Sequence, residues 1–192
     1  MEANDEVEQD GSLYFAYGSN LSSVQMRERC PMSTPLGLAH LSGWKWIINE
    51  RGYANLVKDE TPSERLREET EKTRGAYGII YCLHSDDEAS LDMDEGVPWA
   101  YERRFLEVIL IEGLANTPVA NINSKGNLVL HDYEKSRKKI QALAYIDFKR
   151  NRPGHPKYEY IRRMNRGIED AMMQWRLPEQ YVDSVIRPFI PA

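Results

Sequence analysis

The stretch YFAYGSNL at positions 14–21 constrains the fold of this chain more than any other part of the sequence. Residues 13–17 are apolar and aromatic, which favours a short buried strand. Gly18 permits a positive φ and Asn20 tolerates one, so we expect the strand to end in a tight turn. Ser22 is a suitable N-cap for a helix over residues 24–29. Backbone N–H groups at such a turn can form an anion-binding cradle, although an ordinary strand-to-helix turn explains the same pattern.

A second stretch, residues 85–96, predicts a short helix that ends in a carboxylate. Ser85 and Glu88 fit the capping box S-x-x-E at the start of a helix. Gly96 stands where a glycine commonly ends one. Glu95 therefore falls in the last helical turn, at the negative end of the helix dipole.

The neighbours of Glu95 in the sequence favour its protonated form. Asp92 and Asp94 add negative charge nearby, and Trp99 is a side chain that could bury the carboxylate. Each effect raises the pKa of a carboxyl group. A raised pKa suits a group that accepts a proton and later returns it near neutral pH. A solvated acidic helix face accounts for the same residues, because charge runs usually lie at the surface.

The rest of the pattern predicts one α+β domain over residues 13–192, after an acidic tail at 1–12 that we expect to be disordered. A chain of 192 residues, 41% of them hydrophobic, can bury one sizeable core. Residues 61–74 predict an exposed loop, and Gly126 is a candidate hairpin turn. Strands are predicted over or within residues 35–43, 44–50, 53–57, 75–83, 99–112 and 140–148, and helices over 156–175 and 178–186.

The sequence has no pattern for a metal site, a nucleotide cofactor or a serine nucleophile. Its four histidines form no H-x-x-x-H pair. Ser19 lacks the second glycine of G-x-S-x-G, and there is neither a G-x-G-x-x-G nor a Walker A loop. Cys30 and Cys82 are predicted to be buried thiols, as in a reducing compartment. Without an apolar run of eighteen residues or a signal-peptide core, we expect a cytoplasmic protein with no membrane partner.

Residues 149–166 form a basic segment in an otherwise acidic protein of net charge −5. Tyr158 and Tyr160 lie within it, so RNA bases stacked on aromatic rings are one possible ligand. The carboxylates of a peptide substrate are another, and a solvated helix face is the third explanation. The net charge argues against nucleic acid as a partner. Arg162 and Arg163 are adjacent on the predicted helix, so at most one is expected to face a site.

Four motifs, in order, resemble those of the gamma-glutamylcyclotransferase family: YFAYGSNL at 14–21, GAYGIIY at 75–81, LDMDEGV at 91–97 and HPKY at 155–158. The resemblance implies an α+β fold, a small mixed β-barrel flanked by helices. It also implies that Glu95 is the catalytic acid/base. Substrate contacts are implied for part of the first motif and for two later tyrosines, namely Tyr14, Phe15, Ala16, Tyr17, Gly18, Ser19, Asn20, Tyr101 and Tyr158.

The implied reaction is an intramolecular attack that needs no cofactor and no metal. The α-amine of a γ-glutamyl compound attacks the γ-carbonyl, 5-oxoproline forms and the amine part leaves. The implied partner is a small γ-glutamyl peptide, which could be a γ-glutamyl amino acid, glutathione or a glutathione adduct of the kind that fungal members process in secondary metabolism. We expect a monomer or homodimer. A non-catalytic module that binds γ-glutamyl compounds or nucleic acid on the same fold is the alternative.

Overall fold

The computed structural model describes residues 11–61, 74–113, 119–122, 128–131 and 138–192. Residues 1–10 of the predicted tail, 62–73 of the predicted loop, and Gly126 lie outside the described residues. The elements are, in chain order, β1 (Gly11–Ala16), a 3₁₀ turn (Ser19–Leu21), α1 (Ser23–Arg29), β2 (Thr34–Leu41), β3 (Trp44–Ile48), β4 (Ala54–Lys58), β5 (Ala76–His84), α2 (Ser85–Asp94), β6 (Glu102–Gly113), β7 (Val119–Ile122), β8 (Leu128–His131), β9 (Lys138–Ile146), α3 (Tyr158–Trp175), and α4 (Glu179–Tyr181) continued by a π-helical turn (Val182–Ile186).

Five of the strands close into a barrel in the order β1-β5-β2-β6-β9. Each neighbouring pair from β1 round to β9 is antiparallel. The barrel then closes where β9 lies parallel to β1, with Leu143 opposite Tyr14. Strands β3 and β4 form a separate hairpin, as do β7 and β8. The predicted α+β fold with a small mixed β-barrel flanked by helices is confirmed.

Helix α3 packs against the turn that follows β1. Its buried residues recur at helical spacing, which gives it one apolar face. Gly167 lies on this face, where an added Cβ would approach Leu21 Cβ to 3.1 Å. Asp170 accepts hydrogen bonds from the backbone N–H and the hydroxyl of Ser23, at 2.5 and 2.7 Å. The helix therefore fixes both the turn and the start of α1.

The predicted helix over 85–94 is present, but the residue that caps it differs from the prediction. His84 is the N-cap, and its ring nitrogen accepts the hydrogen bond of a backbone N–H in the first turn. Ser85 is the first helical residue, so the capping-box prediction is wrong. The Glu88 side chain pairs with Arg103 instead of folding back on the cap. The predicted end is confirmed, because Gly96 has a φ of 66°, which suits a glycine at this position.

Candidate active site

A cavity of about 230 Å³ opens beside the turn that follows β1. Its walls come from segments far apart in the sequence: β1 and its turn, α1, the β3–β4 turn, the end of α2, the residue before β6, β9 and the start of α3. Six of the lining residues are tyrosines and five are charged; they are Tyr14, Tyr17, Tyr53, Tyr101, Tyr145, Tyr160, Arg29, Arg51, Arg163, Asp94 and Glu95. Gly18, Ser19, Asn20 and Ala54 complete the lining.

Most of the residues predicted from the sequence meet in this cavity. Glu95 lies at its wall together with the turn residues 18–20. Tyr14, Tyr17 and Tyr101 line it as well. The turn, the acidic residue and the tyrosine that follows it are thus brought together, although they come from distant parts of the chain.

Phe15 and Ala16 do not line the cavity, and their predicted substrate contact is wrong. Both side chains are fully buried in the core. Neighbouring side chains of a strand point to opposite faces, so Phe15 points away from the face that carries Tyr14. Its ring packs on Gly78, where an added Cβ would lie 2.6 Å from Phe15 Cε2. Phe15 therefore lies behind the cavity wall, and Ala16 is enclosed in the core.

Tyr158, another predicted substrate contact, does not line the cavity, whereas Tyr160 does. Tyr158 is 92% exposed, whereas Tyr160 is 4% exposed and lines the cavity. Two residues of an α-helix are separated by about 200° around its axis, so the two rings face nearly opposite directions. In the sequence, Tyr160 stands out only as part of the basic segment 149–166.

The hydroxyl of Tyr160 joins three segments of the cavity wall. It accepts hydrogen bonds from the backbone N–H of Ser19, at 3.3 Å, and of Ala54, at 3.4 Å. The Ser19 amide, expected to be a free donor of an anion cradle, is therefore occupied. Burial raises the pKa of Tyr160 to about 12, so its hydroxyl keeps its proton at neutral pH. With both lone pairs engaged, this hydroxyl can act on a ligand only as a donor.

Glu95 is the carboxylate best suited to proton transfer in the cavity. It caps the C-terminus of α2, and its side chain is 19% exposed. Burial raises the pKa of Glu95, the nearby Arg29 guanidinium lowers it, and the negative charge of Asp94 raises it; the net direction is upward. Burial thus outweighs the opposing charges of Arg29 and Arg163 at this carboxyl group.

The raised pKa does not come from all the residues that sequence analysis named. Trp99 is 78% exposed and does not line the cavity, so its predicted part in burying Glu95 is wrong. Asp92 pairs with Arg103 at 2.7 Å and accepts a hydrogen bond from Tyr145 at 2.6 Å. The charge of Asp92 is therefore paired with Arg103. The burial that raises the pKa of Glu95 comes from the side chains around the cavity.

Three arginines line the cavity, and two of them were not predicted. Arg29 and Arg51 come from α1 and from the β3–β4 turn, and neither belongs to a motif that sequence analysis singled out. Of the adjacent pair in α3, Arg163 lines the cavity while Arg162 is exposed, as expected for neighbours on a helix. Nothing in the sequence spacing of Arg29 or Arg51 indicates this convergence, which depends on the tertiary fold.

In the part of the chain that the structure describes, no group of three or more His, Cys, Asp or Glu side chains could hold a metal ion. Cys30 and Cys82 are both buried, and the two do not form a disulfide, as predicted. None of the described helices is long and apolar enough to span a membrane.

The sequence matches no protein-family model and no curated protein. Several solved structures share the fold. One described as a gamma-glutamyl cyclotransferase is 19% identical, with a TM-score of 0.62 over 91% of this chain and 86% of that one. A human protein described as uncharacterized is 20% identical, with a TM-score of 0.62 over 93% and 88% of the two chains. YkqA from Bacillus subtilis is 17% identical, with a TM-score of 0.59; the match covers 96% of this chain and 55% of YkqA.

Proposed function

We propose that this protein is a gamma-glutamylcyclotransferase, which converts a γ-glutamyl compound into 5-oxoproline and a free amine. The observation that carries the proposal is Glu95, a carboxyl group of raised pKa at the wall of a cavity rich in phenol and guanidinium groups. The shared fold with a structure described as a gamma-glutamyl cyclotransferase supports this choice of reaction. So does the order of the four sequence motifs.

Glu95 is assigned both proton transfers of the reaction. Its carboxylate takes a proton from the α-ammonium of the substrate, and the freed amine attacks the γ-carbonyl carbon. A new C–N bond closes the five-membered ring and gives a tetrahedral oxyanion. When the original amide C–N bond breaks, Glu95 returns that proton to the leaving nitrogen. The ring nitrogen, which carries one surplus proton after the attack, gives it to the released amine, which departs as an ammonium ion, so no net proton is consumed. Holding the amine against the carbonyl can supply roughly 7–11 kcal/mol of the barrier reduction.

Tyr160 is assigned the stabilisation of the oxyanion. Its hydroxyl is limited to donation because Ser19 and Ala54 occupy its lone pairs. A donor fixed in place before the reaction stabilises negative charge that develops during it.

Arg163 is assigned to the α-carboxylate of the γ-glutamyl group. It lies beside the turn, with its guanidinium 3.4 Å from Ser19 Oγ. A guanidinium next to backbone amides is well matched to a carboxylate.

The test is turnover. Purified protein is incubated with γ-glutamyl-alanine and, separately, with glutathione, and 5-oxoproline is measured by chromatography. Glu95→Gln keeps the size of the side chain but removes the base, so turnover should fall by about 10²- to 10⁴-fold. Glu28→Gln is the matched control, because Glu28 is exposed and does not line the cavity.

Two results would contradict the proposal. One is a Glu95→Gln variant that keeps more than a tenth of the wild-type rate. The other is calorimetric binding of γ-glutamyl-alanine without any 5-oxoproline, which would favour a non-catalytic binding module.

A further inference from the structure

We propose that Arg51 binds a carboxylate on the amine part of the substrate and thereby makes the enzyme selective for γ-glutamyl compounds with an anionic leaving amine. This inference rests on the proposed function and assigns the specificity of the same cavity.

The turn that carries Arg51 is held rigidly. Asn49 is fully buried, and its side-chain oxygen accepts the backbone N–H of Arg51 at 3.0 Å. The backbone N–H of Gly52 closes the turn onto the Asn49 carbonyl at 2.9 Å. Gly52 has a φ of 85°, and an added Cβ would lie 3.0 Å from the backbone nitrogen of Lys157. The turn is therefore preorganised, which limits the entropy that Arg51 would lose on binding a ligand.

The guanidinium of Arg51 lies near the Asp147 carboxylate but does not form a hydrogen bond with it. Its Nη1 lies 3.9 Å from the Asp147 carboxylate, which is beyond hydrogen-bond distance. That carboxylate oxygen already accepts from Arg150 at 2.6 Å and from Asn49 at 3.2 Å. Among the described residues, Arg51 Nη1 is buried and has no hydrogen-bond partner. An unsatisfied buried donor is costly. The rest of the side chain, which is 30% exposed and lines the cavity, remains accessible to a ligand carboxylate.

The other two cavity arginines are engaged. Arg29 pairs with Asp94 at 3.0 Å and with Glu95 at 3.4 Å. Arg163 pairs with Glu159 at 3.0 Å. Arg51 is therefore the cavity guanidinium best able to accept a further carboxylate.

Arg51 and Glu95 both lie close to Tyr101 in the cavity, and the charge of each affects the pKa of its phenol. The Arg51 guanidinium lies 5.3 Å from the centre of the Tyr101 ring. Burial raises the pKa of Tyr101, Glu95 raises it further, and Arg51 lowers it, so both charges are close to this phenol. With the scissile amide at Glu95 and the α-carboxylate at Arg163, the amine part of the substrate extends past Tyr101 toward Arg51.

The basic character of this end of the cavity extends beyond Arg51. Tyr53 lines the cavity beside it, with its ring centre 5.7 Å from the Arg51 guanidinium. Lys157 Nζ lies 5.0 Å from the centre of the same ring. The Tyr53 hydroxyl also donates to the Glu159 carboxylate at 3.3 Å, so two cations and one anion surround this ring. The remaining positive charge favours an anionic ligand and disfavours a cationic amine.

The experiment compares two substrates that differ only in the relevant charge, γ-glutamyl-alanine and γ-glutamyl-alaninamide. For the wild-type protein we expect kcat/KM to favour the acid by about 10- to 100-fold, as for loss of a charge-assisted hydrogen bond. Arg51→Gln should bring the ratio close to one, chiefly by slowing the acid. Arg152→Gln removes the same charge from an exposed position outside the cavity and should keep the wild-type ratio.

The outcomes separate this inference from the proposed function. If neither substrate yields 5-oxoproline, the proposed function is overturned and the inference with it. If wild-type protein turns over both substrates equally well, only the inference is overturned. An Arg51→Gln variant that loses the same factor on both would show that Arg51 acts through its contact with Asp147, again overturning the inference alone. If Arg51→Gln does not fold, Arg51→Lys, which keeps the charge but not the fork of donors, should give a reduced ratio; an unchanged ratio would contradict the inference.

Discussion

The guanidinium of Arg29 lies 3.4 Å from the carboxylate of Glu95. The same guanidinium donates to Asn20 Oδ1 at 2.9 Å and pairs with Asp94 at 3.0 Å. One side chain thus connects the turn after β1 to the carboxyl group proposed as the acid/base. Because burial raises the pKa of Glu95 and Arg29 lowers it, this contact sets the pH at which the base becomes available.

Arg29→Gln should therefore move the acid limb of the pH profile. Without the cation the pKa of Glu95 rises further, so the limb of kcat/KM shifts to higher pH. On that limb the rate should fall about tenfold for each unit of the shift. The measurement is kcat/KM for γ-glutamyl-alanine from pH 5 to 9. Arg27→Gln is the control, since Arg27 is exposed on the same helix. An acid limb that stays in place would contradict this role of Arg29.

Glu95 should also make folding stability depend on pH in an unusual direction. Its pKa in the folded protein is raised above the ordinary value of 4.5. At pH values between 4.5 and the higher pKa of the folded protein, the folded state binds more protons than the unfolded state. The stabilisation that Glu95 contributes is therefore greatest at low pH and is lost as the pH rises through its folded pKa. The maximal slope from one group is about 1.4 kcal/mol per pH unit.

Glu95→Gln cannot titrate, so the variant should gain stability relative to the wild type as pH rises from 4 to 7. Urea denaturation of the two proteins at pH 4, 5.5 and 7 measures the difference. A difference in unfolding free energy that is constant with pH would show that the pKa of Glu95 is the same in both states.

Tyr160→Phe and Tyr158→Phe make the same chemical change on opposite sides of α3. At position 160 the change leaves the buried N–H groups of Ser19 and Ala54 without their acceptor, at a cost of roughly 1–3 kcal/mol each. We expect a lower Tm and a loss of kcat/KM of about tenfold or more. Tyr158→Phe should change neither quantity, because that ring is exposed. Thermal denaturation and turnover are measured for both, and equal effects would contradict the assignment of Tyr160.

The basic segment 149–166 should not bind RNA tightly. Arg150 is engaged by Asp147 at 2.6 Å and by the carbonyls of Trp99 and Ala100, at 3.3 and 3.2 Å. Arg163 pairs with Glu159. Filter binding of a mixed-sequence RNA at two salt concentrations checks the expectation. A tight complex that weakens steeply with salt would point instead to a nucleic-acid-binding module.

Local patterns in the sequence were sufficient to predict those features whose structure depends on adjacent residues. The turn after β1 and the position of Glu95 before Gly96 depend on a few adjacent residues, and both are present. The reason given for the glycine was wrong, because Gly18 has a φ of −107° and is needed instead where an added Cβ would lie 2.8 Å from the Tyr160 hydroxyl. The choice between Tyr158 and Tyr160 depends on the rotation of α3 against the turn, which a motif of adjacent residues does not encode.

Longer-range features were beyond the sequence patterns. The capping box failed because His84 competes with Ser85 for the same role, one residue earlier. Arg29 and Arg51 reach the cavity only once the barrel has closed and the β3–β4 hairpin has folded over it. Their contribution is set by tertiary placement, for which a single sequence has no periodic signal.

The backbone contact between β9 and β1 is confined to Leu143 opposite Tyr14. Beside it the rings of Tyr14 and Tyr145 meet edge to face, with centres 5.7 Å apart, and the Tyr17 hydroxyl donates to the Tyr145 carbonyl. Three of the tyrosines that line the cavity thus also hold together the two strands, β1 and β9, that close the barrel. A ligand that binds this cavity only in the folded state would raise the free energy of unfolding by mass action, so we expect the closed barrel to be most stable while the cavity is occupied.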